Sequence, residues 1–395
     1  MNRIFSLLPH NELDLEGQFI DCIQQLDHTI TNNSFDYDQI VKLSIFVNAK
    51  NNIDYIHKKN EIETLLNKQK KLVSITPSII GQPPQDKKQI ALEVFVYDAP
   101  AEEIQIINKE YSGVHYVVVR SQFIKALYVG GITAENIFDS VSHQSKEVLK
   151  KMNEILKMER MKFSNVVRQW NFIESILQIS QNGVGPKQNY QVFNDLRSEF
   201  YRTDEYKNGY PAATGIGMSS GGIILEFIAV SDKREKSIVP IKNPKQVDAH
   251  QYTGNVLVGD KNEIKTTPKF ERAKAVLTEN CNRIFISGTA AIVGEDTIND
   301  NSVEAQTETT IDNINALISS QNLNRHGIST DGKTSKEYIR VYVKNEDEIP
   351  KVKSICEKHW GNIEALYLIS DICRHDLLVE IEGIGKIESN IVSEN

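Results

Sequence analysis

Cysteine is scarce in this chain, with four residues in 395. No two of them have the C-x-x-C spacing of a zinc site, and the histidines show no ligand spacing either. So few thiols provide no disulfide framework, and this usage is typical of a reducing cytoplasm. We therefore predict a cytoplasmic protein without a metal site. The cysteines are Cys22, Cys281, Cys356 and Cys373.

Long apolar runs and an excess of positive charge are also missing. No run approaches the roughly 20 residues of a membrane-spanning helix, and the apolar start at residues 1–9 is too short for a signal peptide. The net charge of −8 at pH 7 disfavours a general binder of nucleic acid or of anionic membranes. We predict neither partner, but a small anion is compatible with this charge if arginines cluster locally.

The chain has no dinucleotide-binding fingerprint. Residues 210–217 are rich in small residues but lack the G-x-G-x-x-G spacing after a strand in a βαβ unit. Small residues let a backbone approach a ligand closely, and Tyr210 and Thr214 offer hydroxyl groups. We take both as candidate substrate-binding residues. The alternative is tight packing between repeated units.

What the sequence does contain is an internal repeat of three units. Each unit has a helix opened by a glutamine, then a strand, a second helix and two short strands. This order predicts an α+β fold in which each unit is a mixed sheet with two helices on one face. The glutamines are Gln18, Gln144 and Gln306, and the first strands after them cover residues 40–47, 166–170 and 338–343.

The repeat predicts domain boundaries. We expect a truncated first unit at residues 1–110 and a second unit at residues 111–232. Residues 233–280, rich in Lys, Asp, Asn and Pro, are interpreted as a linker that carries a partly ordered arm. The third unit is expected at residues 281–386.

The last strand of each unit carries a glutamate in an apolar run: Glu93, Glu226 and Glu380. Burial of a carboxylate is costly unless the group is paired or protonated. Glu380 differs because Cys373 and Arg374 precede it across a short polar turn. It is therefore the best candidate catalytic residue, and the alternative is a rim glutamate on an edge strand.

Several longer motifs resemble the chorismatases, which are specialised relatives of the RidA (YjgF) family. RidA proteins have a chorismate-mutase-like α+β fold and form trimers with clefts between subunits. Three such units in one chain look like a trimer fused into a monomer with internal pseudo-threefold symmetry. The motifs cover residues 189–197, 210–217, 268–273, 287–290 and 372–382, and the last of them is the most specific.

The resemblance implies cleavage of chorismate to pyruvate and a hydroxybenzoate, without a cofactor, in secondary metabolism. Glu380 would be the general acid that protonates the enol ether. A Gly and a Cys at two site positions, matched here to Gly288 and Cys373, favour 3-hydroxybenzoate over a dihydroxylated diene. Cys373 is then a catalytic-site residue that shapes the pocket rather than a nucleophile, and the alternative is a small buried hydrophobe.

Chorismate has two carboxylates, and arginines bind such groups best. Arg168 and Arg340 occupy equivalent strands in apolar runs, so we expect each to point into a polar cleft; the alternative is a solvated strand face. Arg374 lies beside the expected site, either in contact with substrate or exposed. Arg197 and Arg272 lie in family-like motifs but could equally be structural ion-pair partners.

Two other functions remain open. A RidA-type enamine or imine deaminase relies on an arginine on the penultimate strand, and residues 74–77, 210–214 and 365–368 lack it. A binding protein for a small aromatic or keto acid would bind chorismate without turnover.

Overall fold

The computed structural model describes residues 2–72, 75, 77–99, 103–181, 186–201, 206, 208–234, 237–254, 265–278, 282–298, 301–329 and 334–387. Cys281 lies outside these residues. The described helices are α1 (Leu15–Asn32), α2 (Asn52–Lys68), α3 (Val141–Met158), α4 (Asn189–Phe200), α5 (Val303–Leu317), α6 (Ser320–Arg325) and α7 (Ile349–Trp360).

The strands form three main sheets, one for each unit. The first and second units contain β1 (Asn2–Leu7), β2 (Ile40–Val47), β3 (Ser78–Ile80), β4 (Ile90–Tyr97), β5 (Gln105–Tyr111), β6 (Val114–Arg120), β7 (Ile124–Thr133), β8 (Val166–Glu174), β9 (Ile179–Gln181), β10 (Pro186–Gln188), β11 (Ala212–Met218) and β12 (Ile223–Asp232). The third contains β13 (Ile238–Ile241), β14 (Ala273–Leu277), β15 (Asn282–Ala290), β16 (Ile292–Val293), β17 (Asp296–Thr297), β18 (Thr334–Val343), β19 (Glu364–Ile369) and β20 (Val379–Ile387).

The strand orders repeat from sheet to sheet. They are β1-β4-β2-β3, β11-β8-β12-β7-β6-β5 and β13-β14-β15-β20-β18-β19. In each sheet a central antiparallel pair, β2–β4, β8–β12 or β18–β20, is flanked by a parallel partner, β3, β11 or β19. The mixed α+β architecture predicted from the repeat is confirmed.

Each sheet packs one face against its own helices. In α1 the buried residues recur at helical spacing along one stripe, for example Phe19, Cys22 and Leu26, and the Asp14 side chain caps the helix by accepting from the backbone N–H of Gly17. Separate hydrophobic clusters lie between sheet and helices in the three units. Burial of these stripes stabilises the helices more than their intrinsic propensity does.

The opposite faces of the three sheets meet in one shared core. Aromatic residues from different units contact each other there: Phe46 with Phe172 at 6.4 Å and Phe95 with Trp170 at 6.2 Å between ring centroids. Both strand faces are therefore buried, and all eight residues of β2 are buried, including Lys42 and Ser44. The three units form an intrachain pseudo-trimer around this core.

Sheet membership does not coincide with the predicted boundaries. All but the last residue of β5 falls within the first unit expected at residues 1–110, yet β5 pairs with β6 of the second sheet. β13 and β14, inside the expected linker at 233–280, form the edge of the third sheet. These strands are short or carry many polar residues, so their pattern resembles a linker. A division into independent domains stays a prediction.

None of the described helices combines the length and apolar character needed to cross a membrane.

Candidate active site

A cleft of about 720 Å³ opens between the second and third units. Two hydrogen bonds join the segments on either side: the Ala213 N–H donates to the Ser287 hydroxyl at 2.9 Å, and the Glu271 N–H donates to the Pro211 carbonyl at 3.0 Å. The lining residues are Gln188, Tyr190, Gln191, Ala213, Gly215, Tyr252, Pro268, Phe270, Arg272, Gly288, Ala290, Ile292, Cys373, Arg374, Leu377 and Glu380.

Glu380 reaches the cleft from β20, where it pairs with Ala290 of β15 and Tyr342 of β18. The residue is 5 % exposed, and no hydrogen bond or ion pair links its carboxyl group to another described residue. Burial, reinforced by the negative charge of Glu382, raises its pKa to about 8, although Arg168 and Arg272 act in the opposite direction. The carboxyl group is therefore protonated at neutral pH and can donate a proton.

Gly288 makes room for that carboxyl group. A Cβ atom at this position would overlap Oε1 of Glu380 and lie 3.1 Å from Cγ2 of Thr214. The Gly288 backbone N–H donates to the Thr214 hydroxyl at 3.0 Å, which fixes the strand beside the cleft. Glycine is thus required by close approach rather than by backbone conformation.

Cys373 lines the cleft on the turn before β20. Burial, with the nearby charge of Glu380, raises the pKa of its thiol to about 12. A thiol that stays protonated is a poor nucleophile. Its side chain packs beside apolar residues of two cores, so the geometry suits a wall of the pocket.

Two arginines line the cleft and share one aromatic neighbour. The guanidinium groups of Arg272 and Arg374 each lie 5.5 Å from the ring centre of Tyr252. Arg272 donates to the Tyr252 hydroxyl at 2.6 Å, and Arg374 donates to the Glu295 carbonyl at 2.8 Å. Neither forms an ion pair with a carboxylate in the described part of the chain, so both positive charges are available to an anionic ligand.

Arg197 is a third candidate that the sequence left undecided. It lies on α4, is 2 % exposed, and its guanidinium lies 4.9 Å from the ring centre of Tyr201. Its Nε and Nη2 have no hydrogen-bond partner among the described residues. It does not line the cleft.

Arg168 and Arg340 do not point into the cleft as expected. Both are buried where the three sheets meet, and both form ion pairs with Glu382. Arg340 also pairs with Glu93 of the first unit. The expectation was wrong because the polar partners of these strands are carboxylates from neighbouring units, a contact that spacing along the chain cannot reveal.

The two candidate hydroxyl residues also lie outside the cleft lining. Thr214 accepts hydrogen bonds from Arg168 at 2.6 Å and from Gly288, and it donates to Glu382. Tyr210 packs its ring against those of Tyr206 and His250. For Tyr210 the alternative of packing within the fold fits better than substrate contact, and Thr214 belongs to the buried network behind Gly288.

Four of the eight site residues proposed from sequence therefore meet in one cleft: Gly288, Cys373, Arg374 and Glu380. The choice of individual residues missed Tyr190, Gln191, Tyr252 and Phe270, and it left Arg272 undecided. All but Tyr252 lie in motifs at 189–197 and 268–273 that were singled out as segments. Tyr252 lies in the expected linker, and no pattern marks it.

Within the described ranges, no group of three or more His, Cys, Asp or Glu side chains could hold a metal ion.

Residues 113–229 match the family model described as "Chorismatase FkbO/Hyg5-like, N-terminal". A 3-hydroxybenzoate synthase from Streptomyces hygroscopicus is 34 % identical over 238 residues, which cover 58 % of this chain and 65 % of that protein. A chorismatase from Streptomyces rapamycinicus is 31 % identical over 226 residues, covering 56 % of this chain and 64 % of that protein. The matches thus span slightly less than two thirds of these relatives.

The fold is similar to a chorismatase crystal structure over almost the whole chain. The TM-score is 0.69 at 21 % sequence identity, with 97 % of this chain and 98 % of that chain covered. The resemblance to chorismatases inferred from the motifs is confirmed by these comparisons.

Proposed function

We propose, from the premise that residues 113–229 match the chorismatase family, that this protein converts chorismate to pyruvate and 3-hydroxybenzoate. The observation that carries the proposal is the carboxyl group of Glu380: it lies in the cleft, lacks a cationic partner among the described residues, and has a pKa raised to about 8. Such a group can act as a general acid at neutral pH.

The reaction begins at the enol ether of chorismate. Glu380 donates its proton to the terminal methylene carbon, and the C3–O bond breaks, so that pyruvate leaves with the ether oxygen. The substrate's 4-hydroxyl oxygen bonds to C3, and its proton returns to Glu380. The C4–O bond of the resulting arene oxide breaks, C3 loses its proton, and the oxygen that stays on C3 takes up one proton, which gives 3-hydroxybenzoate. No water is consumed, so the two products together have the composition of chorismate.

Arg272 and Arg374 are the proposed partners of the two substrate carboxylates. They replace Arg168 and Arg340 in that role because they line the cleft and have no carboxylate partner in the described residues. Arg272 is 3 % exposed, and a buried guanidinium gains most from an anionic ligand that completes its hydrogen bonds. Arg374 is half-buried at the mouth.

Gly288 and Cys373 support the 3-hydroxybenzoate branch. Both present small groups to the cleft beside Glu380, which leaves room for the ring to bring its 4-hydroxyl close to C3. The other branch adds one water and yields a dihydroxylated diene. The relative from Streptomyces hygroscopicus is named 3-hydroxybenzoate synthase, which is consistent with the first branch.

We propose that the protein is a cytoplasmic monomer that needs no cofactor. The sheets of one chain already make the contacts that separate subunits make in a trimer, which supports a monomer. Multi-angle light scattering of the purified protein measures this, and a mass two or three times 44.8 kDa contradicts it.

The test is incubation with chorismate, with pyruvate followed by lactate dehydrogenase and the aromatic product separated by chromatography. We expect stoichiometric pyruvate and 3-hydroxybenzoate. Glu380→Gln, which keeps the side-chain shape, should be slower by about 10²–10⁴-fold. Chorismate binding without pyruvate release would favour a binding protein, and hydrolysis of an imine alone would favour a deaminase.

A further inference from the structure

The three glutamates at equivalent positions have different partners. Glu93, Glu226 and Glu380 face Ser44, Trp170 and Tyr342 on the neighbouring strand, which confirms their common register. Glu93 and Glu226 are each neutralised by a buried cation, whereas Glu380 has no such partner among the described residues. The pseudo-threefold fold therefore places a cation beside two of the three positions.

The cations follow the order of the units. Lys42 of the first unit pairs with Glu226 of the second at 2.8 Å, and Arg340 of the third pairs with Glu93 of the first. Arg168, from the second unit, occupies the position equivalent to Lys42 and Arg340. By the same rotation, its carboxylate partner would be Glu380 of the third unit.

Arg168 instead forms its ion pair with a different carboxylate of the third unit, that of Glu382. Two residues after the equivalent glutamate, each unit has a residue that faces the cationic residue on the neighbouring strand. These pairs are Phe95 with Lys42, Ile228 with Arg168, and Glu382 with Arg340. Of these three positions, only the one in the third unit therefore holds a carboxylate. Glu382 pairs with Arg168 through one oxygen.

Glu382 is held firmly in place by three further donors. Its Oε1 accepts from Nε1 of Trp170 at 2.8 Å and lies 3.0 Å from Nη1 of Arg340, and its Oε2 accepts from the Thr214 hydroxyl. Thr214 also accepts from Arg168 at 2.6 Å, so two groups hold the same guanidinium. Nη1 of Arg168 has no hydrogen-bond partner in the described residues, which leaves it able to serve another carboxylate.

We infer that Glu382 is a positioning residue that retains Arg168 and so leaves the carboxyl group of Glu380 without a cationic partner. This inference rests on the proposed role of Glu380 as general acid. If Arg168 paired with Glu380, the carboxylate form would be favoured and no proton would be available at neutral pH.

The other groups around Glu380 are consistent with this role. Glu382 lies two residues along its own strand, and Tyr342 lies opposite on β18. Cys373 on the preceding turn and Tyr190 on α4 lie near it: burial, together with the charge of Glu380, raises the pKa of both side chains. Arg272 and Arg168 are the nearby cations; Arg272 lines the cleft and donates to the Tyr252 hydroxyl and the Val247 carbonyl. Arg168 is the cation that Glu382 retains.

The test is Glu382→Gln, which removes the charge that retains Arg168. We expect the high-pH fall of kcat/KM for pyruvate release to move down by about one pH unit or more, with activity near pH 7.5 lower by about threefold or more. Activity near pH 5.5 should stay close to that of the wild type, because Glu380 is protonated there in both proteins. A merely structural role would lower activity equally at both pH values.

Two variants serve as matched controls. Glu382→Gln/Arg168→Gln removes the released cation as well, and it should restore the fall of kcat/KM toward the wild-type pH. Glu93→Gln removes an equally buried carboxylate of the same network and should leave that pH unchanged. Should Glu382→Gln not fold, Glu382→Asp keeps the charge with a shorter reach and should move the fall in the same direction by less.

A direct readout is independent of turnover. The infrared band of the protonated Glu380 carboxyl group, identified as the difference between wild type and Glu380→Gln, can be titrated with pH. We expect a midpoint near 8 in the wild type and a lower midpoint in Glu382→Gln. An unchanged midpoint in Glu382→Gln overturns the inference even if chorismate is cleaved. A midpoint that falls in Glu382→Gln and returns toward 8 in Glu382→Gln/Arg168→Gln supports it even if pyruvate is not released, whereas an equally low midpoint in both variants overturns it.

Discussion

Glu93 and Glu380 occupy the same position in two units of one fold, yet their surroundings act on them in opposite directions. Burial raises the pKa of both carboxyl groups. At Glu93 the charges of Arg340 and Lys42 outweigh burial, and the pKa falls to about 2. At Glu380 burial is reinforced by Glu382, and the pKa rises to about 8. A repeated fold thus fixes where a carboxyl group lies, and its neighbours decide what it can do.

The space around the two carboxyl groups differs accordingly. In the first unit the carboxylate is covered by Tyr338 and Arg340, which reach it from the third unit. In the third unit, Gly288 leaves space beside Glu380, and the cleft stays open. One position therefore stabilises the pseudo-trimer, whereas the other is available for chemistry.

The largest expected difference between the two positions is in stability. Glu93→Gln should lower the free energy of unfolding by about 3–5 kcal/mol, because it leaves Arg340 and Lys42 with too few carboxylates. Glu380→Gln should change it by less than about 1 kcal/mol near pH 6, where both side chains are neutral. Urea unfolding of the two variants measures this; equal losses would contradict the comparison.

The next largest difference between Glu93 and Glu380 is expected in how each affects the pH dependence of stability. The pKa of Glu380 is raised in the folded state, so its contribution is present at low pH and is lost as the pH rises toward 8. Between about pH 5 and pH 9 we expect the wild type to lose roughly 2–4 kcal/mol relative to Glu380→Gln. Glu93 behaves oppositely: its contribution is lost as the pH falls toward 2.

Unfolding curves for wild type and Glu380→Gln at several pH values check this. Parallel stability curves for the two proteins above pH 6 would show that Glu380 is ionised in the folded state.

A side chain that fills the space beside Glu380 should make its surroundings resemble those of Glu93, which is covered by Tyr338 and Arg340. Gly288→Ala should lower kcat/KM by about 10–100-fold, because the new methyl group displaces the carboxyl group from its productive position. Gly254→Ala is a matched control, since a Cβ atom there meets no atom within 4 Å. Equal activities of the two variants would mean that the close approach at Gly288 has no role in the reaction.

The smallest effect is expected at Cys373. Its thiol, with a pKa of about 12, stays protonated, so Cys373→Ala should lower kcat by less than about fivefold and mainly alter the ratio of products. The measurement is steady-state kinetics together with chromatography of the aromatic product. A loss near that of Glu380→Gln would instead indicate a nucleophilic thiol.

Much of this fold could be predicted from sequence because its elements repeat. The glutamine-led helices and the apolar strands recur in order, and the register of Glu93, Glu226 and Glu380 follows from aligning them. The motif around Cys373 and Glu380 is contiguous along the chain, so the turn and strand that position them could be recognised together.

The functions of the arginines could not be predicted in the same way. An arginine in an apolar strand can point to a cleft, to solvent or to a carboxylate of another unit, and Arg168 and Arg340 do the last. That choice depends on the contacts of Arg340 with Glu93 and of Arg168 with Glu382, which join different units and form only when the sheets assemble. Arg272 and Tyr252 come from a segment without periodicity, and their place in the cleft depends on the pairing of β13 and β14 with the third sheet.

The measurement that tests the central claim most directly is the pH dependence of kcat/KM for pyruvate release from chorismate. A general acid with a pKa of about 8 predicts a plateau at neutral pH and a tenfold fall per pH unit above it. A rate that stays level or rises between about pH 7 and pH 9 would contradict the claim, because Glu380 would then react as a carboxylate or not at all.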